Sequence, residues 1–215
     1  MYEENVKIPI NNASLQGSLV VPKDAKGMVI FAHGSGSSRF SPRNQFVAKA
    51  LNKKGIATLL MDLLTEVEEQ FDMQTGQLRF DIEFLAERLI DATKWIKKNS
   101  ATSNLKIGYF GASTGAAAAL IAAAKLGYVL AIVSRGGRPD LAMPYLSRIE
   151  APTLLIVGGN DEPVIGMNRE AIKQLNTVKK LEIISGASHL FEEPGKLEEV
   201  AKLAANWFIR YFADK

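Results

Sequence analysis

The sequence predicts an α/β protein, with a mostly parallel sheet of about eight strands, an N-terminal antiparallel hairpin and helices on both faces. Three observations carry this. Short runs rich in Val, Ile, Leu and aromatics alternate with helical patterns along the chain. The later runs are apolar throughout, as in strands covered on both faces. The glycine-rich and polar clusters follow the C-terminal ends of these runs, where parallel sheets place their functional loops. No repeat, low-complexity linker or compositional break divides the 215 residues, so a single domain over 1–215 is expected.

Residues 5–10 and 15–21, separated by Asn-Asn-Ala-Ser, read as the hairpin. The buried strands are predicted at 28–32, 57–61, 106–110, 129–133, 153–157 and 180–184, bounded by Gly, Pro, Asn or Ser. Pro42 suits the first turn of a helix running to about Lys54, with Gly55 as its stop. Asp81 can cap a second, whose Ile82, Leu85, Leu89, Ala92 and Ile96 share one face and whose last turn carries Lys97 and Lys98. Residues 116–125 form a third, rich enough in alanine to approach the sheet closely. Leu197, Val200, Leu203, Ala204, Trp207 and Tyr211 mark the last.

Composition excludes several classes. Cysteine is absent, which removes disulfides, thiolate metal sites and a thiol nucleophile. The 26 basic and 23 acidic residues are scattered and leave a net charge of +3, with no basic and aromatic cluster of the kind nucleic acid needs. The N-terminus lacks a signal-peptide pattern. The longest uncharged apolar stretch, 116–124, is far short of the roughly 20 residues that span a bilayer. A cytoplasmic protein, acting on neither nucleic acid nor membrane, is the expectation.

Residues 106–115 place the strongest motif: a strand, then Gly111-Ala-Ser-Thr-Gly115, then the alanine-rich helix. A serine hydroxyl is a weak nucleophile, so a chain that uses one must hold Oγ exposed beside a base. A sharp strand-to-helix turn does so, with glycines where side chains would collide and helix N–H groups facing a developing oxyanion. Ser113 is the candidate nucleophile. Of two histidines, His189 follows the last predicted strand and can reach the sheet centre as general base. Asp161, just past strand 153–157, can orient that imidazole, with Glu162 as its neighbouring competitor. The loop His33-Gly-Ser-Gly follows strand 28–32; the N–H groups of Ser35 and Thr114 are the expected oxyanion donors. His33 falls too early in the strand order for a base and is read as holding its loop.

These motifs resemble the α/β-hydrolase superfamily, and within it the dienelactone-hydrolase-like branch. The likeness runs through His33-Gly34-Ser35-Gly36, the turn around Ser113, Gly159-Asn160-Asp161 and Ser188-His189, in the order serine, aspartate, histidine that this fold uses. It implies an α/β-hydrolase fold and catalysis with neither metal nor organic cofactor. Asp62-Leu-Leu-Thr, Leu78-Arg-Phe-Asp and Ser134-Arg-Gly-Gly-Arg-Pro-Asp resemble a subgroup found fused to phosphoribosyltransferase domains. The namesake enzymes carry cysteine where this sequence has Ser113, which favours ordinary ester, thioester or lactone hydrolysis.

Arg39 and Arg43 follow the oxyanion loop, and Arg135 and Arg138 follow strand 129–133. Guanidinium groups suit carboxylate or phosphate, so these four are the candidate substrate contacts. The alternative is that they pair with Asp62, Asp140 or other local acids. Residues 62–80 form a long connection that suits either a small cover over the site through Phe71 and Met73 or, equally, a surface excursion. The function expected is hydrolysis of a small carboxylic ester by a monomer or small homo-oligomer. A peptidase or acyltransferase with the same three residues, and a non-catalytic binding module on this fold, are the alternatives.

Overall fold

The computed structural model describes residues 1–11 and 13–213. Eight strands form one sheet: β1 (Tyr2–Ile10), β2 (Ala13–Val21), β3 (Gly27–Ala32), β4 (Ala57–Met61), β5 (Lys106–Ala112), β6 (Ala131–Arg135), β7 (Thr153–Gly158) and β8 (Lys179–Ile184). Their spatial order is β1-β2-β4-β3-β5-β6-β7-β8. β2 runs antiparallel to both β1 and β4, and every pair from β4 to β8 is parallel. The expected hairpin is therefore present, with Ile10 opposite Ala13. Ala13, read from sequence as part of the turn, belongs to the strand, and Asn12 lies outside the described residues.

The described residues form seven α-helices: α1 (Pro42–Lys53), α2 (Glu66–Thr75), α3 (Ile82–Lys98), α4 (Thr114–Leu126), α5 (Met143–Leu146), α6 (Glu162–Gln174) and α7 (Lys196–Phe212). Ser41 caps α1 by accepting from Asn44 N–H, and Asp81 caps α3 through Phe84 N–H. Gly55, at φ +76°, adopts the left-handed conformation just past α1 that favours glycine. Helices α2, α5 and α6 lie where the sequence signalled none. α2 buries no apolar stripe: Val67, Phe71 and Met73 are exposed, so periodicity is silent about it. Local bonds make it: a reciprocal capping box joins Thr65 and Glu68. The N–H groups of Leu78 and Arg79, beyond its end, donate to the buried Asp72 of the helix at 2.7 and 3.1 Å.

The strands alternate between two apolar layers. Met28 and Ile30 of β3 and Ile107 and Tyr109 of β5 pack under α3 and α4. Val29 and Phe31 of β3 and Phe110 of β5 pack on the other face under α1 and α7. On that face Phe208 and Phe212 lie deeper than Leu197, Leu203 and Tyr211 of the expected stripe. Gly27 and Gly108 open the sheet for them, since a Cβ on Gly108 would lie 2.8 Å from Phe208 and one on Gly27 2.1 Å from Phe212. Among the described residues no helix is long and apolar enough to cross a membrane.

Two strand ends matter for the site. β5 continues two residues beyond its predicted end, to Ala112, and β6 continues to Arg135 rather than stopping at Val133. Ser134 and Arg135 look like loop residues in sequence, yet Arg135 pairs with both Ala112 and Ile156 in the sheet.

Candidate active site

Ser113 sits between β5 and α4 at φ 51°, ψ −123°, a backbone conformation rarely adopted by side chains other than glycine. Its surroundings hold it there. Its N–H donates to Arg135 C=O at 3.2 Å, and its C=O accepts from Ala116 and Arg138 N–H, each at 3.1 Å. The two flanking glycines are required by space: a Cβ on Gly111 would lie 2.3 Å from Ala116 Cα, and one on Gly115 2.3 Å from the His33 carbonyl oxygen. Small residues in the motif are thus what lets the turn close against β3 and α4.

His189 and Asp161 come from neighbouring loops that are stitched together. Gly159 N–H donates to Ile184 C=O at 2.8 Å and Asn160 N–H to Ala187 C=O at 2.9 Å. Glu193 accepts from Ser188 N–H at 3.0 Å, and this bond holds its carboxyl below the usual range. Asp161 occupies the N-cap position of α6, yet its side chain makes no capping bond. Its Oδ2 instead lies 2.6 Å from His189 Nδ1. Nδ1 is therefore the donor nitrogen, which leaves Nε2 as the acceptor of the ring. The competitor Glu162 is exposed.

A cavity of about 260 Å³ gathers Ser113 and His189 with Gly34, Arg43, Asn44 and Arg135 among its lining residues. The loop after β3 forms one wall, and a Cβ on Gly34 would come within 3.1 Å of Ser113 Cβ. Ser35 N–H, expected as a free oxyanion donor, is engaged: it donates to Thr114 Oγ1 at 2.9 Å. His33 holds this loop, as expected. Its Nε2 accepts from Leu63 N–H at 3.1 Å, which leaves Nδ1–H to donate to Gly34 C=O at 2.9 Å. Burial pushes its pKa below the ordinary histidine value, so the ring is neutral.

The four arginines divide. Arg39 is bound to Asp62 through its backbone N–H, at 2.8 Å, and through its guanidinium. Arg138 forks onto Asp140, with Nε–Oδ1 at 2.9 Å and Nη2–Oδ2 at 2.8 Å. Neither lines the Ser113 cavity; each is paired with a local acid, the alternative that the sequence left open. Arg43 and Arg135 do line it. Arg135 is only 6% exposed, and no acid pairs with it among the described residues. Burial and then the neighbouring Arg43 charge pull it down to about 10, which leaves it cationic at neutral pH. Its Nη2 reaches only Asn44 Oδ1, at 3.4 Å. Asn44, itself buried, went unnoticed in the sequence, where a polar residue in the first turn of a helix carries no signal.

Residues 62–80 supply no wall of this cavity. Phe71 and Met73, expected to cover it, are 50% and 67% exposed. α2 instead contributes Glu66, Glu69 and Gln70 to a separate cavity of about 340 Å³, together with His33, Phe40 and Asp62.

Comparison with known proteins agrees with this architecture. A crystal structure of dienelactone hydrolase from Anabaena variabilis superposes with a TM-score of 0.96 at 58% identity, covering 98% of each chain. A lidless α/β serine hydrolase from Xanthomonas campestris shares the fold at 19% identity, with a TM-score of 0.78 over 99% of this chain and 96% of that one. A Mycobacterium tuberculosis protein named "Putative phosphoribosyl transferase" is 52% identical over 210 residues, which are 97% of this chain and 46% of that protein. The chain thus spans about half the length of the curated relatives it matches. The model of the dienelactone hydrolase family matches residues 15–213, and the chain belongs to that family.

Proposed function

We propose that the chain is a serine hydrolase cleaving a small carboxylic ester, thioester or lactone through an acyl-enzyme on Ser113. The observation that carries this reading is the His189–Asp161 contact of 2.6 Å on the same cavity as a serine held at positive φ. His189 Nε2 takes the Ser113 Oγ proton as Oγ attacks the carbonyl carbon. Asp161 accepts the Nδ1 hydrogen bond and stabilises the imidazolium. Collapse of the tetrahedral intermediate breaks the bond to the leaving group, which receives the proton from Nε2. Water then attacks the acyl-enzyme, giving its proton to Nε2, and the acid leaves as Ser113 Oγ regains a proton.

The oxyanion is received by Thr114 N–H at the start of α4 and by Ser35 N–H, each such donor being worth about 2.7–4 kcal/mol in comparable sites. The second must share or exchange its present acceptor, Thr114 Oγ1, as the intermediate forms.

Active-site labelling tests the reading. A fluorophosphonate probe is expected to label the folded protein at one equivalent on Ser113, with no labelling of Ser113→Ala. Absence of labelling in folded wild-type protein sinks it. Turnover of matched ester, thioester and amide substrates separates it from peptidase or acyltransferase chemistry.

A further inference from the structure

His189 projects from a loop and not from a helix or strand. β8 ends at Ile184 and α7 begins at Lys196, so residues 185–195 hold the base by their own contacts. Its side chain is 40% exposed, too open for packing alone to fix the direction of the ring. The bond to Asp161 orients the imidazole as long as the backbone beneath it keeps its place.

Glu193 sets that place. Both of its carboxylate oxygens accept from Ser188 N–H, at 3.0 and 3.1 Å, which ties the residue just before His189 across the turn. The Ser188 N–H, then Glu193's own N–H and the Ser188 hydroxyl, hold this carboxyl below its ordinary value. It is therefore ionised at neutral pH, and its bonds are charge-assisted. The Ser188 C=O is engaged as well, accepting from Phe191 N–H at 3.3 Å. Gly158 gives that oxygen room, since a Cβ there would lie 2.4 Å from it. Phe191 pins the turn from below: it is 1% exposed, in the same apolar layer as Ile184, Ala187 and Val200, and sits at φ 58°. A phenylalanine keeps such a backbone where its surroundings compel it.

We propose that Glu193 is a positioning residue for the general base: by clamping Ser188 it fixes the backbone from which His189 projects, and so keeps the imidazole on Asp161 and in register with Ser113. The inference rests on the hydrolase reading for the role of His189. Glu193 is not among the residues lining the Ser113 cavity, so it acts through His189 and not on the substrate. Its neighbour Glu192 supplies the contrast, being exposed and turned to Arg43 at 3.3 Å. Losing the clamp displaces the base and not the pocket, and a misplacement of about 1 Å costs up to about 100-fold in rate.

The test follows hydrolysis of p-nitrophenyl acetate. Glu193→Ala is expected to lower kcat about 10- to 100-fold, with KM within about twofold of wild type. Glu193→Gln keeps an amide oxygen that accepts the Ser188 N–H, and is expected to recover kcat to within about threefold. Glu198→Ala, at an exposed acid in the first turn of α7, leaves both constants as they were. In a His189→Ala background the Glu193→Ala change is expected to cost nothing further, because the group it positions is gone. Glu193→Met, which keeps the stem and loses the acceptors, carries the test if Glu193→Ala does not fold. Wild-type kcat in Glu193→Ala, a loss that glutamine does not recover, or an equal loss with and without His189 overturns the clamp and leaves the hydrolase reading standing. If a fluorophosphonate labels no serine in wild type, the hydrolase reading fails instead. The Nδ1 proton resonance of the His189–Asp161 bond then reads the clamp alone: broadening in Glu193→Ala supports it, and an unchanged line overturns it.

Discussion

Two cavities lie on either side of the loop after β3, and they differ in the opposite sense from their size. The larger, about 340 Å³, is acidic: Asp62, Glu66 and Glu69 line it, and Asp62 is bound to Arg39. The smaller, about 260 Å³, is basic, and holds Ser113, His189, Arg43 and Arg135. Each also has one histidine, and the contrast between these is sharper still. His33 has both ring nitrogens engaged by backbone groups and is neutral and buried. His189 has one nitrogen on a carboxylate and lines the cavity that holds Ser113. On the proposed reading, volume does not locate the chemistry; an imidazole with one nitrogen committed to a carboxylate does.

The largest expected effect breaks this comparison directly. His189→Ala should lower kcat by about four orders of magnitude or more, and Asp161→Asn should approach the same loss by favouring the wrong tautomer, with both variants keeping their fold. Steady-state ester kinetics at fixed pH measure this. A variant at either position with kcat within tenfold of wild type removes that residue from the mechanism.

The other histidine should fail in a different quantity. His33→Leu deprives the Leu63 N–H of its acceptor, which costs about 1–3 kcal/mol of stability. The effect on kcat should be far smaller than that of His189→Ala. A pH series sharpens the assignment. Burial lowers the folded-state pKa of His33 below its unfolded value, so the unfolded chain binds the proton more readily. The stabilisation from a neutral His33 is fully present above the unfolded pKa of about 6.5 and is lost as pH falls towards the folded value. Denaturant melts at descending pH should show a slope in wild type that is reduced in His33→Leu. Equal slopes would mean that the ring is not held neutral by the fold.

How much of this was legible beforehand depended on whether the residue's role is local. Ser113, Asp161 and His189 could be placed because glycines, strand ends and chain order each leave a mark in sequence. Gly111 and Gly115 are read correctly for the same reason: close approach forbids a side chain, and the sequence shows its absence. Arg135 was legible only in part. Its polar character assigns it to a loop, whereas pairing with Ala112 and Ile156 draws it into the sheet and buries it. No local rule tells Arg135 from Arg138, because the difference is that Asp140 lies within reach of one and not the other. α2 was hidden for the opposite reason. Its stability comes from the capping box and Asp72, not from an apolar stripe, so its residues read as a connection. The Ser35 N–H to Thr114 Oγ1 bond, spanning 79 residues, is tertiary in origin and no spacing announces it.

The smallest effect tests whether the basic cavity is open to anions at its rim. Glu192 is the only acid that touches either of its arginines among the described residues, and it does so from an exposed position at 3.3 Å from Arg43. Such a pair is worth about 0.2–1 kcal/mol and is screened by salt. If Glu192 competes with an incoming anion for Arg43, Glu192→Gln should tighten succinate or phosphate binding by about 1.5- to 5-fold at low ionic strength. The gain should shrink at high salt, where the competing carboxylate is already screened. The corresponding change on the acidic side, Glu69→Gln, should leave anion binding as it was, because Glu69 lines the other cavity. Equal gains from the two variants would trace the effect to net charge alone. A gain confined to Glu192→Gln ties it to the Arg43 guanidinium, and so to the difference between the two cavities.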